Sequence, residues 1–231
     1  MLPPLSPAFI LRRNPYRDTS VLLDMFTLDA GKITCVAKFG QGKNSRAKGM
    51  LEPFRQLEAS WTGKGEVFTL FNAEEKRRFP LKAGGLIRAV YANELLLRAL
   101  WQHQPQPELF AQYQQTLFRL ENSADVLALP LFELDVLASA GYVLNLWHDD
   151  AQGEDISPAV RYRFRPDHGL YPDAGEGKGV PVSGGLLIAL REPQTMNTEQ
   201  RLELRHTLDY LIQMLLKGKT LNARKLLGDS V

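Results

Sequence analysis

The chain has 231 residues, 44% of them hydrophobic, and a formal net charge of +2 at pH 7, a composition typical of a globular protein that folds around its own core. Its single cysteine, Cys35, excludes a disulfide and a multi-cysteine metal site within the chain. No apolar run approaches the roughly 18 residues of a membrane span and the N-terminus does not resemble a signal peptide, so we expect a cytoplasmic protein.

The first eighty residues predict short β-strands separated by turns. Apolar and β-branched residues are concentrated in five segments, residues 8–11, 21–26, 33–37, 57–61 and 67–71. Five short strands within about seventy residues favour a small closed barrel, and the five-stranded OB-fold is the common barrel of this kind that binds oligonucleotides. An SH3-like barrel is the alternative.

The segment between Asp29 and Glu52 contains no acidic residue. It carries five cations interleaved with glycines: Lys32, Lys38, Lys43, Arg46 and Lys48. Glycine lets a backbone approach a ligand closely, and cations without neighbouring carboxylates keep their attraction for phosphate. The pattern therefore predicts a polyanion-binding loop on the barrel, with a solvated loop of incidental charge as the alternative.

Charge is divided unevenly along the chain. Residues 1–80 hold 13 lysines and arginines against 8 acidic residues, whereas residues 81–231 hold 15 against 18. The basic first part is thus the one expected to meet an anion.

From about Leu86 the hydrophobic period changes from that of strands to that of helices. Apolar residues spaced by three and four predict four helix faces, which we expect to lie in the core. The four faces are Leu86, Val90, Leu97 and Leu100; Phe110, Tyr113, Leu117 and Leu120; Leu127, Leu131, Leu134 and Leu137; and Leu204, Leu208, Leu211 and Leu215. Thr198 is the expected N-cap of the last helix. The predicted fold class is α+β: an OB-fold domain in residues 1–80, then a mainly helical domain in 81–231 with a small irregular or β insertion around 148–183.

Catalytic motifs are incomplete in this sequence. A phosphate-binding P-loop would need a glycine at Ala37 and a hydroxyl residue at Asn44, around the Gly42-Lys43 pair. The four histidines share no metal-binding spacing. We therefore expect no enzyme, no cofactor and no metal. The alternative is an enzyme that holds a phosphorylated small molecule or nucleotide in the basic loop.

Several segments resemble the RecO family of bacterial DNA-repair mediators. In the barrel these are residues 18–23, 31–38, 48–54 and 65–67, and further on residues 91–96, 132–142 and 220–224. Their order and spacing span essentially the whole chain.

This resemblance implies an OB-fold, a helical domain and a non-enzymatic role in DNA repair and recombination. It implies binding of single- and double-stranded DNA, annealing of complementary strands and, with RecR, loading of RecA onto strands covered by single-stranded-DNA-binding protein. The acidic, apolar C-terminal tail of that protein docks in the family's helical domain. Many members also hold zinc with four cysteines, where this chain has Trp147-His148-Asp149-Asp150, so the family's metal is not expected here.

The interpretation assigns candidate residues to two binding roles. DNA-binding candidates are Lys38, Lys43, Arg46 and Lys48, flanked by Arg12, Arg13, Arg17 and Lys32, with Lys219, Arg224 and Lys225 in a basic C-terminal segment and Phe39 as the favoured base-stacking aromatic. Partner-binding candidates are Arg88, Arg98 and Arg119 in the predicted helices. For the C-terminal segment a charged, solvated tail is the alternative.

Overall fold

A computed structural model describes residues 3–39, 49–122, 124–175 and 177–227. Two compact units account for them: residues up to Asp125 together with Leu221–Leu227 form the first, and Val126–Thr220 form the second. Two helices that we assigned to the second domain thus fall in the same compact unit as the barrel. Among the described residues, no helix is long and apolar enough to cross a membrane.

The first unit is built on a closed five-stranded barrel, as the sequence predicts. Its strands are β1 (Ser6–Tyr16), β2 (Ser20–Thr27), β3 (Gly31–Lys38), β4 (Arg55–Thr62) and β5 (Val67–Arg78). They close in the order β1-β2-β3-β5-β4, with β3 parallel to β5 and the other pairs antiparallel. Alternate residues face inward and are fully buried, among them Leu23, Ile33 and Cys35. The predicted OB-type barrel is confirmed.

Cys35 is a core residue. Its side chain is completely buried, and burial raises the pKa of the thiol to about 12. A thiol that stays protonated at neutral pH packs as a small apolar group and does not act as a nucleophile.

Two helices pack on the barrel, α1 (Ala83–Ala99) and α2 (Pro107–Leu120). In α2 the four residues of the predicted apolar face are buried. The centre of the Phe110 ring lies 5.2 Å from that of Phe9 and 5.3 Å from that of Phe26. Asn93 of α1 donates from Nδ2 to the carbonyl of Leu11 at 2.9 Å and accepts a hydrogen bond from the hydroxyl of Tyr113. This buried polar contact ties β1, α1 and α2 together.

The apolar face predicted for α1 is wrong at two of its four positions. Leu86 and Val90 are exposed, whereas Arg88 and Asn93 are buried. Burial of these polar side chains is tolerated because each hydrogen-bonds to the main chain; Arg88 reaches the carbonyls of Gly84 and Asp125 at 3.1 and 2.6 Å.

Gly31 begins β3 where two chain segments approach closely. Its φ is +68°, and a Cβ atom at this position would lie 2.1 Å from the carbonyl oxygen of Gln104. Both the backbone angle and the contact therefore require glycine.

The second unit combines helices with a small sheet. Its elements are α3 (Ala128–Ser139), β6 (Arg161–Arg165), β7 (Gly169–Pro172), β8 (Val180–Ser183), α4 (Gly184–Ala189) and α5 (Thr198–Leu215), and the sheet has the order β7-β6-β8. Asn197, rather than the expected Thr198, caps α5 through a reciprocal capping box with Gln200. Leu204, Leu208 and Leu211 form its buried face.

A buried ion pair lies within this unit. The carboxylate of Glu133 in α3 accepts hydrogen bonds from both terminal nitrogens of Arg205 in α5, at 2.6 and 3.0 Å. The side chain of Glu133 is 0% exposed and that of Arg205 is 6% exposed. Arg205 also pairs with Asp209 at 2.9 Å.

The loop around residues 145–156 is fixed by side chains that bond to the main chain. Asp149 accepts hydrogen bonds from the N–H groups of Ala151, Gln152 and Glu154 at 2.9, 2.6 and 3.1 Å. Asp150 accepts from the N–H of Leu170 at 2.6 Å and so ties this loop to β7. These carboxylates give the loop its own hydrogen-bonded frame.

The Asp149 frame predicts a pH dependence of stability. The N–H of Gln152, with those of Ala151 and Glu154, lowers the pKa of Asp149 below its ordinary value, against the opposing effect of burial. Because the pKa is lower in the folded state, the contribution is fully present above the unfolded value of about 3.9 and is lost as pH falls through the folded one. Urea midpoints of wild type and Asp149→Asn should differ most at pH 6 and approach each other progressively as pH falls below about 4. A difference that does not change with pH would contradict this.

Candidate functional site

Two exposed cations lie at the same end of the barrel. Tyr16 pairs with Ser20 across the β1–β2 hairpin, and Ser20 pairs in turn with Lys38 at the end of β3. Arg17, in the hairpin turn, therefore lies at the same end as Lys38. Lys43, Arg46 and Lys48 fall outside the described residues, in the stretch of chain that follows Phe39.

Arg17 and Lys38 form no ion pair within the described residues. The guanidinium of Arg17 lies 5.0 Å from the centre of the Tyr16 ring, and both cations are exposed. An unpaired, exposed cation keeps its full attraction for a phosphate. These two are the strongest described members of the predicted DNA-binding set.

Arg12 and Arg13 lie further along β1 and are paired with carboxylates. Arg12 Nε lies 2.8 Å from Asp24 Oδ2, and Arg13 Nη1 lies 3.4 Å from Glu52 Oε1. Asp24 is buried and also accepts from Thr34 Oγ1 at 2.9 Å. A phosphate would have to share these arginines with their carboxylates, so each offers a weaker contact than Arg17 or Lys38.

Lys32 has a structural role. It is buried, and its Nζ donates to the carbonyl of Leu97 near the end of α1 at 2.7 Å. Burial lowers the pKa of this ammonium, while the nearby Asp24 carboxylate acts in the opposite direction. Lys32 thus joins the barrel to α1. Because its ammonium group is buried and already hydrogen-bonded, this position does not favour the phosphate contact that we expected.

Phe39 is also placed differently from our expectation. Its side chain is 6% exposed and packs in the barrel core with Leu51 and Leu57, so the ring is not presented to a base. Its N–H donates to the carbonyl of Thr19 at 2.8 Å. This hydrogen bond extends the alternation of β3 by one residue. Phe39 therefore points into the barrel, as Cys35 and Ala37 do.

Sequence reasoning missed Lys64 as a candidate. This exposed residue lies in the β4–β5 turn between Gly63 and Gly65, both of which have positive φ. The β4–β5 loop is one of the two loops that OB-folds commonly use for oligonucleotides. The Thr-Gly-Lys-Gly turn was the available signal.

The C-terminal basic segment is divided between the two units. A 3₁₀ helix, Asn222–Leu226, is held in the first unit by Glu94, which accepts from the N–H groups of Asn222 and Ala223 at 3.0 and 2.7 Å. Burial opposes ionisation of Glu94, but these two N–H groups and Arg98 outweigh it and lower the pKa. Lys225 is exposed and Arg224 half-buried. Lys219 is exposed in the second unit, so the predicted continuous track stays a prediction.

The three partner-binding candidates already have contacts inside the first unit. Arg88 is buried against main-chain carbonyls. Arg98 binds Glu94 through two nitrogens at 3.1 and 2.8 Å, and Arg119 binds Asp125 in the same way at 2.8 and 3.0 Å. Arg98 and Arg119 are part-exposed and are the better placed for an acidic partner.

An open cleft of about 720 Å³ lies beside α1 in the first unit. Cations line it from three elements, Arg12 and Arg13 from β1, Lys32 from β3 and Arg98 from α1. The carboxylates of Asp24 and Glu94, which pair with Arg12 and Arg98, also line it, and Val90 and Leu97 supply apolar surface. The cleft therefore suits a ligand that is both acidic and apolar.

The described residues do not fit a zinc site at the position where the four cysteines would lie. His148 Nδ1 lies 2.9 Å from Asp155 Oδ1, and no group of three or more histidine, cysteine, aspartate or glutamate side chains in the described part of the chain could hold a metal ion. Asp149 and Asp150 instead bond to the main chain.

We therefore predict that the purified protein binds no stoichiometric zinc and that a chelator leaves its melting temperature unchanged. A structural zinc site needs four closed ligands, usually cysteine and histidine, and Cys35 is the only thiol. Elemental analysis after dialysis, with a melting curve with and without chelator, checks both statements. About one zinc per chain would overturn the prediction.

Comparisons with known proteins match both parts of the chain. The family described as "Recombination protein O N terminal" matches residues 3–79, and "Recombination protein O C terminal" matches residues 85–225. A protein named "DNA repair protein RecO" from Aliivibrio fischeri strain ES114 is 34% identical over 224 residues, covering 96% of this chain and 94% of its own length. Proteins of the same name from Nitrosospira multiformis and Methylococcus capsulatus are 35% identical over 229 residues, covering 96% and 94%, and 36% identical over 228 residues, covering 98% and 93%.

Proposed function

The chain belongs to the RecO family of DNA repair proteins, and from this premise we propose that it binds single- and double-stranded DNA, anneals complementary strands and helps to load RecA. Its pathway is RecFOR-type recombination, and its partners are RecR and the C-terminal tail of single-stranded-DNA-binding protein. The proposed place of action is the cytoplasm, in association with the nucleoid.

One observation carries the DNA-binding proposal. Arg17 and Lys38 lie exposed at the same end of an OB-type barrel, and the chain runs on from Lys38 into a stretch of three further cations without an acidic residue. Cations grouped on one barrel end attract a phosphate backbone without regard to base sequence. Annealing needs this kind of contact, because the bases must stay free to pair.

We propose that the activity is not enzymatic. Cys35 is buried with a raised pKa, and the sequence lacks the residues of a P-loop. The competing function is an enzyme that holds a nucleotide in the basic loop, and it would use the same cations.

An annealing assay separates these two functions. Two complementary, dye-labelled 40-mers should pair faster in the presence of the protein at low salt, while a panel of nucleotides should leave its melting temperature unchanged. A nucleotide that raises the melting temperature, together with no acceleration of annealing, would favour the enzyme.

We further propose that DNA capture and tail capture are separable. Arg98 lines the cleft together with Val90 and Leu97, which offers an acidic and apolar tail both kinds of contact. Arg88 and Arg119 complete the set proposed from the sequence.

The separability predicts opposite effects of two variants. Lys43→Ala/Arg46→Ala/Lys48→Ala should lose affinity for bare DNA and still bind a synthetic tail peptide. Arg98→Ala/Arg119→Ala should do the reverse. Both are measured by fluorescence anisotropy, with folding checked by circular dichroism. If the loop variant loses peptide binding as completely as DNA binding, the two sites overlap.

A further inference from the structure

The outer surface of three barrel strands forms a continuous patch with little charge. Leu22 pairs with Val36, Thr34 with Val67, and Val36 with Thr69. Paired residues share a face of the sheet, and their neighbours along each strand, such as Cys35 and Phe68, pack into the core. We call the outward set Leu22, Thr34, Val36, Val67, Thr69 and Phe71 the strand patch.

Phe71 is the largest side chain of the strand patch, and a β-bulge sets its direction. Ser60 pairs with Asn72 and Trp61 pairs with Leu70, so Phe71 is the extra residue on β5. Bulges re-aim side chains and are frequent beside functional sites. The side chain of Phe71 is 55% exposed. Val67, four residues earlier on the same face of β5, is 49% exposed.

A cation lies on the neighbouring strand, on the same face as this aromatic. The parallel pairing of β3 and β5 matches Val36 with Thr69, and two residues further along the two strands stand Lys38 and Phe71. Lys38 is exposed and forms no ion pair within the described residues. An exposed aromatic beside an exposed lysine offers a stacking surface for a base and a contact for its phosphate.

One carboxylate on this side of the strands, that of Asp24, is already neutralised. Asp24 accepts hydrogen bonds from Arg12 and Thr34, at 2.8 and 2.9 Å. Asp18 and Glu66 lie in the turns beyond the strands. Further along β5, Glu74 is exposed and lies 3.5 Å from Lys76. The six residues of the strand patch carry no charge and so do not themselves repel a polyanion.

We propose that Phe71 stacks on a base of single-stranded nucleic acid while Lys38 contacts the adjoining phosphate. The inference rests on the proposed DNA-binding function and adds to it a stacking residue, Phe71, that is not among the sequence candidates. Single exposed apolar residues are common on protein surfaces. What distinguishes Phe71 is its position on a bulge of β5. This strand pairs with β3, which carries Lys38, and so adjoins the face of strands 2 and 3 that OB-folds use for oligonucleotides.

Binding of two oligonucleotides of equal length and charge tests the stacking. One is oligo-dT and the other is an abasic deoxyribose-phosphate chain, which keeps the phosphates and lacks the bases. Wild type should bind oligo-dT more tightly. Phe71→Ala should lose roughly five- to 150-fold in affinity for oligo-dT and nothing for the abasic chain, because stacking is worth about 1–3 kcal/mol per base.

Matched variants make the result specific. Phe71→Trp keeps a ring and should retain affinity; Phe71→Leu keeps apolar bulk and should behave like Phe71→Ala. Trp101→Ala removes another exposed aromatic of the first unit and should leave binding unchanged. Lys38→Ala should weaken both oligonucleotides and reduce the salt slope by about 0.7, a change that Phe71→Ala should not produce.

Three outcomes would overturn the stacking site. They are unchanged binding of oligo-dT by Phe71→Ala, equal loss for oligo-dT and the abasic chain, or the same loss in Trp101→Ala. The first of these, with wild type still binding DNA, rejects Phe71 alone and leaves the proposed function standing. If wild type binds neither oligonucleotide, the proposed function and the stacking site both fail.

Discussion

Replacing Glu133 with alanine is expected to destabilise the second unit by roughly 3–5 kcal/mol, because it leaves a buried guanidinium without its main carboxylate. Glu133 binds both terminal nitrogens of Arg205, and both side chains are withdrawn from solvent. The pairing of Arg205 with Asp209 replaces only part of that interaction. At about 2–4 °C per kcal/mol the melting temperature should fall by roughly 6–20 °C.

Urea titration followed by fluorescence measures this change. Trp147 reports on the second unit, whereas Trp61 and Trp101 lie in the first. Asp167→Ala is a matched control, because it breaks an exposed pair with Arg165 in the same unit and should change stability little. A double variant, Glu133→Leu with Arg205→Met, should recover much of the loss, since apolar pairs often replace buried ion pairs without cost. If Glu133→Ala stays within about 1 kcal/mol of wild type, the pair is not the support we infer.

Removing the three cations of the basic loop is expected to have the largest effect on function. Each phosphate contact on a single strand contributes about −0.7 to the log–log salt slope, so Lys43→Ala/Arg46→Ala/Lys48→Ala should reduce the slope by roughly 2. By the same relation, affinity at 0.1 M salt should fall on the order of 100-fold.

A variant of equal charge loss provides the control. Arg161→Ala/Lys178→Ala/Arg201→Ala removes three exposed cations of the second unit and changes the net charge by the same amount. Anisotropy titrations at four salt concentrations should give it a slope close to that of wild type. If the two triple variants lose the same affinity, net charge rather than the loop governs binding.

The barrel could be predicted from the sequence because its signals are local. Strand alternation at Ile33, Cys35 and Ala37 names the inward residues directly, and all three are buried. The same alternation extends to Phe39, so its burial was available from the pattern. The glycine and lysine neighbours of Phe39 led us to favour exposure instead.

Long-range contacts decided the positions that sequence reasoning placed wrongly. Lys32 is held by a carbonyl 65 residues away along the chain, and Asn93 by one 82 residues away. No local pattern shows that a polar side chain has such a partner, so α1 was given an apolar face that the structure buries only in part. The exposure of Phe71 depends on the register between β4 and β5, which the sequence does not state.

The central claim is that this barrel binds single-stranded DNA through its phosphates. Its most direct test is the affinity of the wild-type protein for a labelled, unstructured oligonucleotide, measured by anisotropy between 0.05 and 0.5 M salt. We predict binding that weakens steadily with salt, with a log–log slope of several times −0.7. An affinity that does not depend on salt, or no binding at 0.05 M salt by a folded protein, would contradict the claim.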